Sequence, residues 1–212
     1  MLKVNEVFKS IQGESSFMGL LCVFIRLSGC NLHCSYCDTQ YARLTNYEMS
    51  IDQILDKIKD YDCSLVEITG GEPLIQNDIY QLCEKLSDNN YSVLLETNGS
   101  LDVSKLDARV IKIMDIKCPG SGEAEKNLYE NINYLKPTDE IKFVISDFND
   151  YDWAHKTIEK YNLTGKCKLI FSPAYRQIDI KDLAEKIIQD NLNVRCQIQL
   201  HKFIWGQDKK GV

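Results

Sequence analysis

Three cysteines, Cys30, Cys34 and Cys37, stand within eight positions in the run SGCNLHCSYCDT at residues 28–39. Gaps of three and two residues place all three thiols in one loop, a grouping suited to holding metal. A structural zinc ion takes four ligands in a tetrahedron. The nearest fourth ligand is His33, which lies inside the same loop beside Cys34, and no second CxxC or HxxxH pair occurs elsewhere. An iron–sulfur cube is held by closely spaced thiolates. With three thiolates, one iron of a [4Fe–4S] cube stays open to bind and activate another molecule.

The rest of the chain narrows the setting for that chemistry. Its 212 residues are enough for a substantial core and are expected to form a single domain over 1–212. Hydrophobic residues make up 44% and charged residues 26%, as in ordinary globular proteins. A net charge of −6 and a pI of about 5.2 leave no electrostatic footprint for nucleic acid. No apolar run approaches the ~20 residues of a membrane span, so no membrane partner is expected. The opening MLKVNEVFKS has no apolar h-region, hence no signal peptide is expected. Nine cysteines without a secretion signal point to a reducing compartment, with cytoplasm the expectation.

Short β-branched runs positioned between amphipathic helices must carry the cysteine loop. Candidate strands are LCVFIRL (21–27), LVEIT (65–69), SVLLET (92–97), VIKIMDI (110–116), EIKFVI (140–145), KLIFS (168–172) and VRCQIQL (194–200). Helical spacing appears at Ile51, Ile54, Leu55 and Ile58, behind a Ser50–Gln53 capping box. It recurs at Ile79, Leu82, Cys83 and Leu86, and at Ile180, Leu183, Ala184, Ile187 and Ile188. Such alternation predicts an α/β fold with a mostly parallel sheet. Six or so units fall short of a full eight-fold barrel, so the expected fold is a partial, incomplete TIM-like barrel. Function in such sheets collects at the C-terminal strand ends. There the sequence places the cysteine loop, GGEP (70–73), TNG (97–99), IKCPGSG (116–122), SPA (172–174) and LHKF (200–203).

The cysteine spacing, with Tyr36 just before the third cysteine, resembles the signature of the radical S-adenosylmethionine (SAM) superfamily, and Gly70-Gly71-Glu72-Pro73 resembles its SAM-binding GGEP. More specifically, EVFKSIQGESSFMGLLCVFIRLSGCNLHCSYCDTQY, TGGEP, ETNGS and LHKFIWG are similar to the 7-carboxy-7-deazaguanine synthase family over essentially the whole chain. Ser15 stands where that family's QGEG phrase has its second glycine, and the cysteine loop is the short form. The phrases QGES and CDT, with Arg26, set the chain apart from glycyl-radical-enzyme activases. GGEP sets it apart from a non-catalytic iron–sulfur module.

The resemblance implies a [4Fe–4S] cluster on Cys30, Cys34 and Cys37, whose open iron chelates SAM. It implies SAM contacts from Tyr36, Cys37, Asp38, Gly71, Glu72, the Asp115-Ile116-Lys117 segment and Ser172, Pro173, Ala174 and Tyr175. A magnesium ion is implied on Thr39, with Asp38 as a rival oxygen donor. The implied small-molecule substrate is a carboxylated pterin, with Ile11, Gln12, Gly13, Glu14, Arg26, Thr69 and His201 as candidate contacts. Arg26 suits a carboxylate, since a charge-assisted bidentate bond contributes about 1.5–3 kcal/mol. A one-electron donor such as flavodoxin or ferredoxin and a homodimeric assembly complete what the resemblance implies. Cys22, Cys83 and Cys196 lie in apolar patterns and are expected to be small buried residues.

Overall fold

Alternating apolar runs and amphipathic helices assemble one nine-stranded sheet in the computed structural model, which describes residues 1–44, 46–207 and 209–212. The strands are β1 (Leu2–Ile11), β2 (Leu21–Leu27), β3 (Tyr47–Met49), β4 (Leu65–Gly70), β5 (Ser92–Thr97), β6 (Ile111–Asp115), β7 (Glu140–Ile145), β8 (Lys168–Pro173) and β9 (Arg195–Cys196). The helices are α1 (Ile51–Lys59), α2 (Ile79–Asp88), α3 (Phe148–Lys160), α4 (Ile180–Gln189) and α5 (Leu200–Trp205). Sheet order is β3-β1-β2-β4-β5-β6-β7-β8-β9, parallel from β2 to β9, with β1 antiparallel to both neighbours. Among the described residues β3 and β9 end the sheet without pairing to each other, so the barrel stays open, as the count of units requires.

Side-chain alternation along each strand divides the sheet into two faces. Val23, Ile25, Val66, Ile68, Val93 and Leu95 face outward against α1 and α2 in one core cluster. Met114, Ile141, Phe143 and Phe171 do the same against α3 and α4 in a second. The opposite parity faces the barrel interior, where Cys22, Phe24, Leu65, Leu94 and Ile113 form an apolar floor. α1 begins at the expected box, with Ser50 accepting from Gln53 N–H and Gln53 accepting from Ser50 N–H.

The structure departs from the expectations drawn from sequence in several places, and adds elements they did not include. β1 was absent from the expected strands because a bulge between Val4 and Glu6 breaks its alternation. The run 194–200 contributes only Arg195 and Cys196 to the sheet, at an unpaired edge, and LHKF begins α5 rather than ending a strand. As a consequence Cys196 is exposed. In α4 only Leu183 and Ile187 are fully inward, while Ile188 is 78% exposed. α3 carries its buried stripe on Tyr151, Ala154, Thr157 and Ile158, a polar mixture that hides the helical period.

Candidate active site

Reading every second residue up the interior of β2 to β7 gives Phe24 and Arg26, Glu67 and Thr69, Glu96, Ile113 and Asp115, then Lys142 and Val144. Above the apolar floor the barrel is therefore charged. These side chains line a cavity of about 420 Å³ whose rim is the cysteine loop, with Cys30, Cys34 and Cys37 all facing it. None of the three cysteines is in a disulfide. Among the described residues no three His, Cys, Asp or Glu groups are drawn together around one point.

The thiols fit an iron–sulfur cube in another respect. Leu32 N–H (3.5 Å) and Asn98 Nδ2 (3.9 Å) both approach Cys30 Sγ, the donor-to-sulfur contacts that tune such clusters. Burial pushes the Cys34 thiol up, with the Lys117 ammonium working against it. The loop is hung from several elements. Ser35 donates from N and Oγ to the carbonyls of Ser121 (2.9 Å) and Gly120 (2.6 Å), and Arg43 donates to the Leu32 carbonyl (3.0 Å).

The GGEP turn at the end of β4 is pressed onto this loop. Gly71 N–H donates to the Leu27 carbonyl (3.4 Å) and Glu72 N–H to the Gly29 carbonyl (2.9 Å). A Cβ at Gly71 would lie 1.9 Å from the Gly29 oxygen, so only glycine admits the approach. Glu72 itself does not line the cavity. Its carboxylate is fully buried and accepts from Leu74 N–H (3.0 Å), Thr97 Oγ1 (2.9 Å) and Asn98 N–H (2.7 Å). Burial pushes its pKa up to about 7 despite those donors. Both oxygens accept N–H donors, so an amide can satisfy only one side. Glu72→Gln should lose about 1–3 kcal/mol of stability, the cost of a buried unmet donor, read as a lower melting temperature.

The charged layer is a network around Lys142. Its ammonium meets Glu14 (3.0 Å), Glu96 (2.5 Å) and Asp115 (3.7 Å). Burial opposes ionisation of Glu14, but Lys142, His201 and a Gln199 hydrogen bond hold its pKa down at about 2. Glu67 has no such cation in contact. Burial and the Glu96 and Glu14 charges push it well above the ordinary range. Gln12 donates its amide N–H to Glu67 and accepts from Glu14 N–H (3.1 Å). Thr69 donates to Glu96 (2.9 Å).

At the opposite rim, Asp38 is gripped from three directions. Lys202 and Gln199 donate to Oδ2, and Thr39 Oγ1 donates to Oδ1 at 2.8 Å. Burial works to raise its pKa, yet Lys202 and these hydrogen bonds bring it far below the carboxylate range. The Thr39 proton is thus committed to Asp38, and the lone pairs of Thr39 Oγ1 remain for a cation. Burial also lowers the His201 pKa, against the pull of the Glu14 and Asp38 charges. His201 lies on α5 rather than at a strand end, and a Cβ at Gly13 would lie 2.2 Å from its Nδ1.

Of the residues singled out in the sequence, Ile11, Gln12, Gly13, Glu14, Arg26, the three cysteines, Tyr36, Asp38, Thr39, Thr69, Gly71, Asp115, Lys117, Ala174, Tyr175 and His201 all line this cavity. Glu72, Ile116, Ser172 and Pro173 do not. Ile116 is packed in the second core cluster and spends its N–H on the Lys142 carbonyl (2.9 Å). The Gln12 amide is engaged at both ends, so it shapes the wall rather than offering free groups. Sequence reasoning missed Glu67, Glu96, Lys142, Gln199 and Lys202. The first three had a signal: a charge inside an apolar strand run, at the parity of the strand-end residue that follows. Ser15, where the resembled phrase has glycine, adopts φ +63°, which favours glycine, and its Oγ compensates by accepting Phe17 N–H (3.2 Å).

Comparison with known proteins matches residues 24–116 to the radical SAM superfamily model. The 7-carboxy-7-deazaguanine synthase of Chlorobaculum tepidum is 44% identical over all of this chain and 97% of its own. That of Koribacter versatilis is 41% identical over the whole of both chains. Among solved structures, QueE from Escherichia coli superposes with a TM-score of 0.77 at 24% identity, covering 94% of each chain. Streptococcus suis SuiB bound to S-adenosylmethionine shares the fold more distantly, with a TM-score of 0.55 at 18% identity over 81% of this chain and 45% of its own.

Proposed function

The chain belongs to the 7-carboxy-7-deazaguanine synthase family of radical SAM enzymes, and from that premise we propose that it converts 6-carboxy-5,6,7,8-tetrahydropterin to 7-carboxy-7-deazaguanine with loss of ammonia, in 7-deazapurine (queuosine) biosynthesis. The observation that carries this reading is a single cavity holding three uncommitted cysteine thiols, the GGEP turn and Arg26. When bound, the [4Fe–4S] cluster and SAM would supply radical hydrogen-abstraction chemistry to this cavity.

The protein's own residues do the rest. Cys30, Cys34 and Cys37 hold the cluster. Tyr36, the Gly71 backbone, Asp115, Lys117, Ala174 and Tyr175 form the SAM side of the cavity. Arg26 grips the substrate carboxylate, and Glu14, Thr69, His201 and the backbone at Ile11 and Gly13 face the heterocycle. The apolar floor beneath excludes water from below. Thr39 Oγ1 would hold Mg²⁺, with Asp38 as the acceptor that orients the hydroxyl; Mg²⁺ keeps several waters and needs few protein ligands. A flavodoxin or ferredoxin delivers the electron, the one domain spans 1–212, and the enzyme works as a homodimer in the cytoplasm. No helix among the described residues is long and apolar enough to cross a membrane.

The test is anaerobic reconstitution followed by incubation with SAM, dithionite and the carboxypterin, with and without Mg²⁺. Formation of 7-carboxy-7-deazaguanine is expected, and SAM cleavage without that product would overturn the substrate assignment. Turnover should rise with Mg²⁺. Thr39→Val should remove most of that response while iron content stays unchanged, and an unaltered response would retire Thr39 as the ligand.

A further inference from the structure

Arg26 is held from behind. Glu6 lies opposite it in the antiparallel β1–β2 ladder, beside the bulge. Arg26 Nε donates to Glu6 Oε1 at 2.8 Å, and Tyr41 Oη donates to the same oxygen at 2.9 Å. The guanidinium carbon stands 5.8 Å from the ring centres of both Phe8 and Tyr41, within cation–π range of each. Its one hydrogen bond to a described residue is the Nε contact, so both Nη groups have no described partner. Arg26 lines the cavity, whereas Glu6 and Tyr41 do not.

A guanidinium can bind a carboxylate side-on, through Nε and one Nη, or end-on, through both Nη groups. Glu6 takes up the Nε that the first mode needs. We propose that Glu6 and Tyr41 are positioning residues that block side-on binding and aim the two Arg26 Nη groups end-on at the carboxylate of the acidic heterocyclic substrate. This rests on the reading of Arg26 as the carboxylate grip. Tyr41 lies in the short helical turn Gln40–Arg43, four residues beyond Cys37. Order in the cysteine loop is thereby passed to the substrate grip through one hydroxyl. The structural reason for an acid at position 6, between Asn5 and Val7 in a strand of mixed polarity, is then the direction of Arg26, rather than its burial.

The experiment compares reconstituted Glu6→Gln, Glu6→Ala, Tyr41→Phe, Glu6→Ala/Tyr41→Phe and Arg26→Lys. For each, kcat and KM for the carboxypterin, SAM affinity and iron content are measured. Glu6→Ala should raise KM on the order of tenfold or more, with kcat within about threefold and SAM affinity and iron unchanged. Glu6→Gln, which keeps an acceptor for Nε, should recover part of the loss. Tyr41→Phe should raise KM about threefold, and should add nothing in the Glu6→Ala background, because both act through one oxygen. An unchanged KM in Glu6→Ala and Glu6→Gln, or parallel losses in SAM affinity and iron, would overturn the proposal. If Arg26→Lys raises KM and the Glu6 variants do not, the positioning inference alone fails. If Arg26→Lys leaves KM unchanged, the carboxylate grip itself is misassigned and the inference falls with it.

Discussion

Cys34→Ala, reconstituted anaerobically, should release no measurable 5′-deoxyadenosine from SAM and retain well under the wild-type iron. The physical reason is ligand number. Three thiolates secure three irons of a cube and leave one open; with two, a second iron is unanchored and the assembly is lost. Cys34 faces the cavity alongside Cys30 and Cys37, and no other cysteine lines it to substitute. The control is Cys83→Ala. Cys83 is buried on the inner face of α2 in the first core cluster, which includes the outward face of the sheet. It should cost stability of about 1 kcal/mol through the small void and leave iron and SAM cleavage near wild type. Iron content and 5′-deoxyadenosine yield, measured on both variants, check the contrast. Full cleavage in Cys34→Ala would end the radical SAM assignment of the loop.

Gly71→Ala is expected to be nearly as damaging, for a reason that involves no cofactor atom. Its added Cβ would fall 1.9 Å from the Gly29 carbonyl oxygen, 2.5 Å from its carbon and 2.8 Å from Cys30 Cβ. Two of these atoms are backbone and cannot swing aside, so the GGEP turn must separate from the cysteine loop. That separation breaks the Glu72 N–H to Gly29 bond and displaces the first cluster ligand. Overpacking of this kind costs about 1–3 kcal/mol, and misplacement near 1 Å costs on the order of a hundredfold in rate. SAM cleavage should therefore fall about a hundredfold or more, with lowered iron retention. Gly165→Ala is the matched control: nothing lies within 4 Å of its would-be Cβ, and only its φ of +78° penalises a side chain. It should lose about 1 kcal/mol of stability and keep activity. Equal activity losses in the two variants would show that the damage is general destabilisation rather than separation of the two loops.

The parts of this protein that could be read from sequence share one property: their determinants are local. Cysteine spacing needs only the loop itself. The Ser50–Gln53 box closes within four residues. Six of the seven expected strands appear close to their expected bounds, because burial on both faces of a parallel sheet makes them continuous apolar runs. Where an element depended on distant partners the reading faltered. β1 is a strand because β2 and β3 flank it, although its own alternation is broken. β9 shrank to two residues since it lacks an outer neighbour.

The site divides in the same way. Which residues stand at the C-terminal strand ends followed from the sequence, since a parallel sheet brings those ends to one side and period-two alternation assigns each residue a face. Which of them face the cavity, and in what state, was decided by tertiary packing. Lys202 reaches Asp38 across 164 positions, and Gln199 reaches Glu14 across 185. Lys142 draws Glu14, Glu96 and Asp115 together from three other parts of the chain. Glu72 is expected from the sequence to contact SAM, and only the fold shows its carboxylate bracing two strand ends. Sequence alone determined the chemistry available, because residue type and short spacing set what a loop can coordinate. Orientation and ionisation were settled only in the folded chain, because they depend on burial and on charges that meet through space rather than along the backbone.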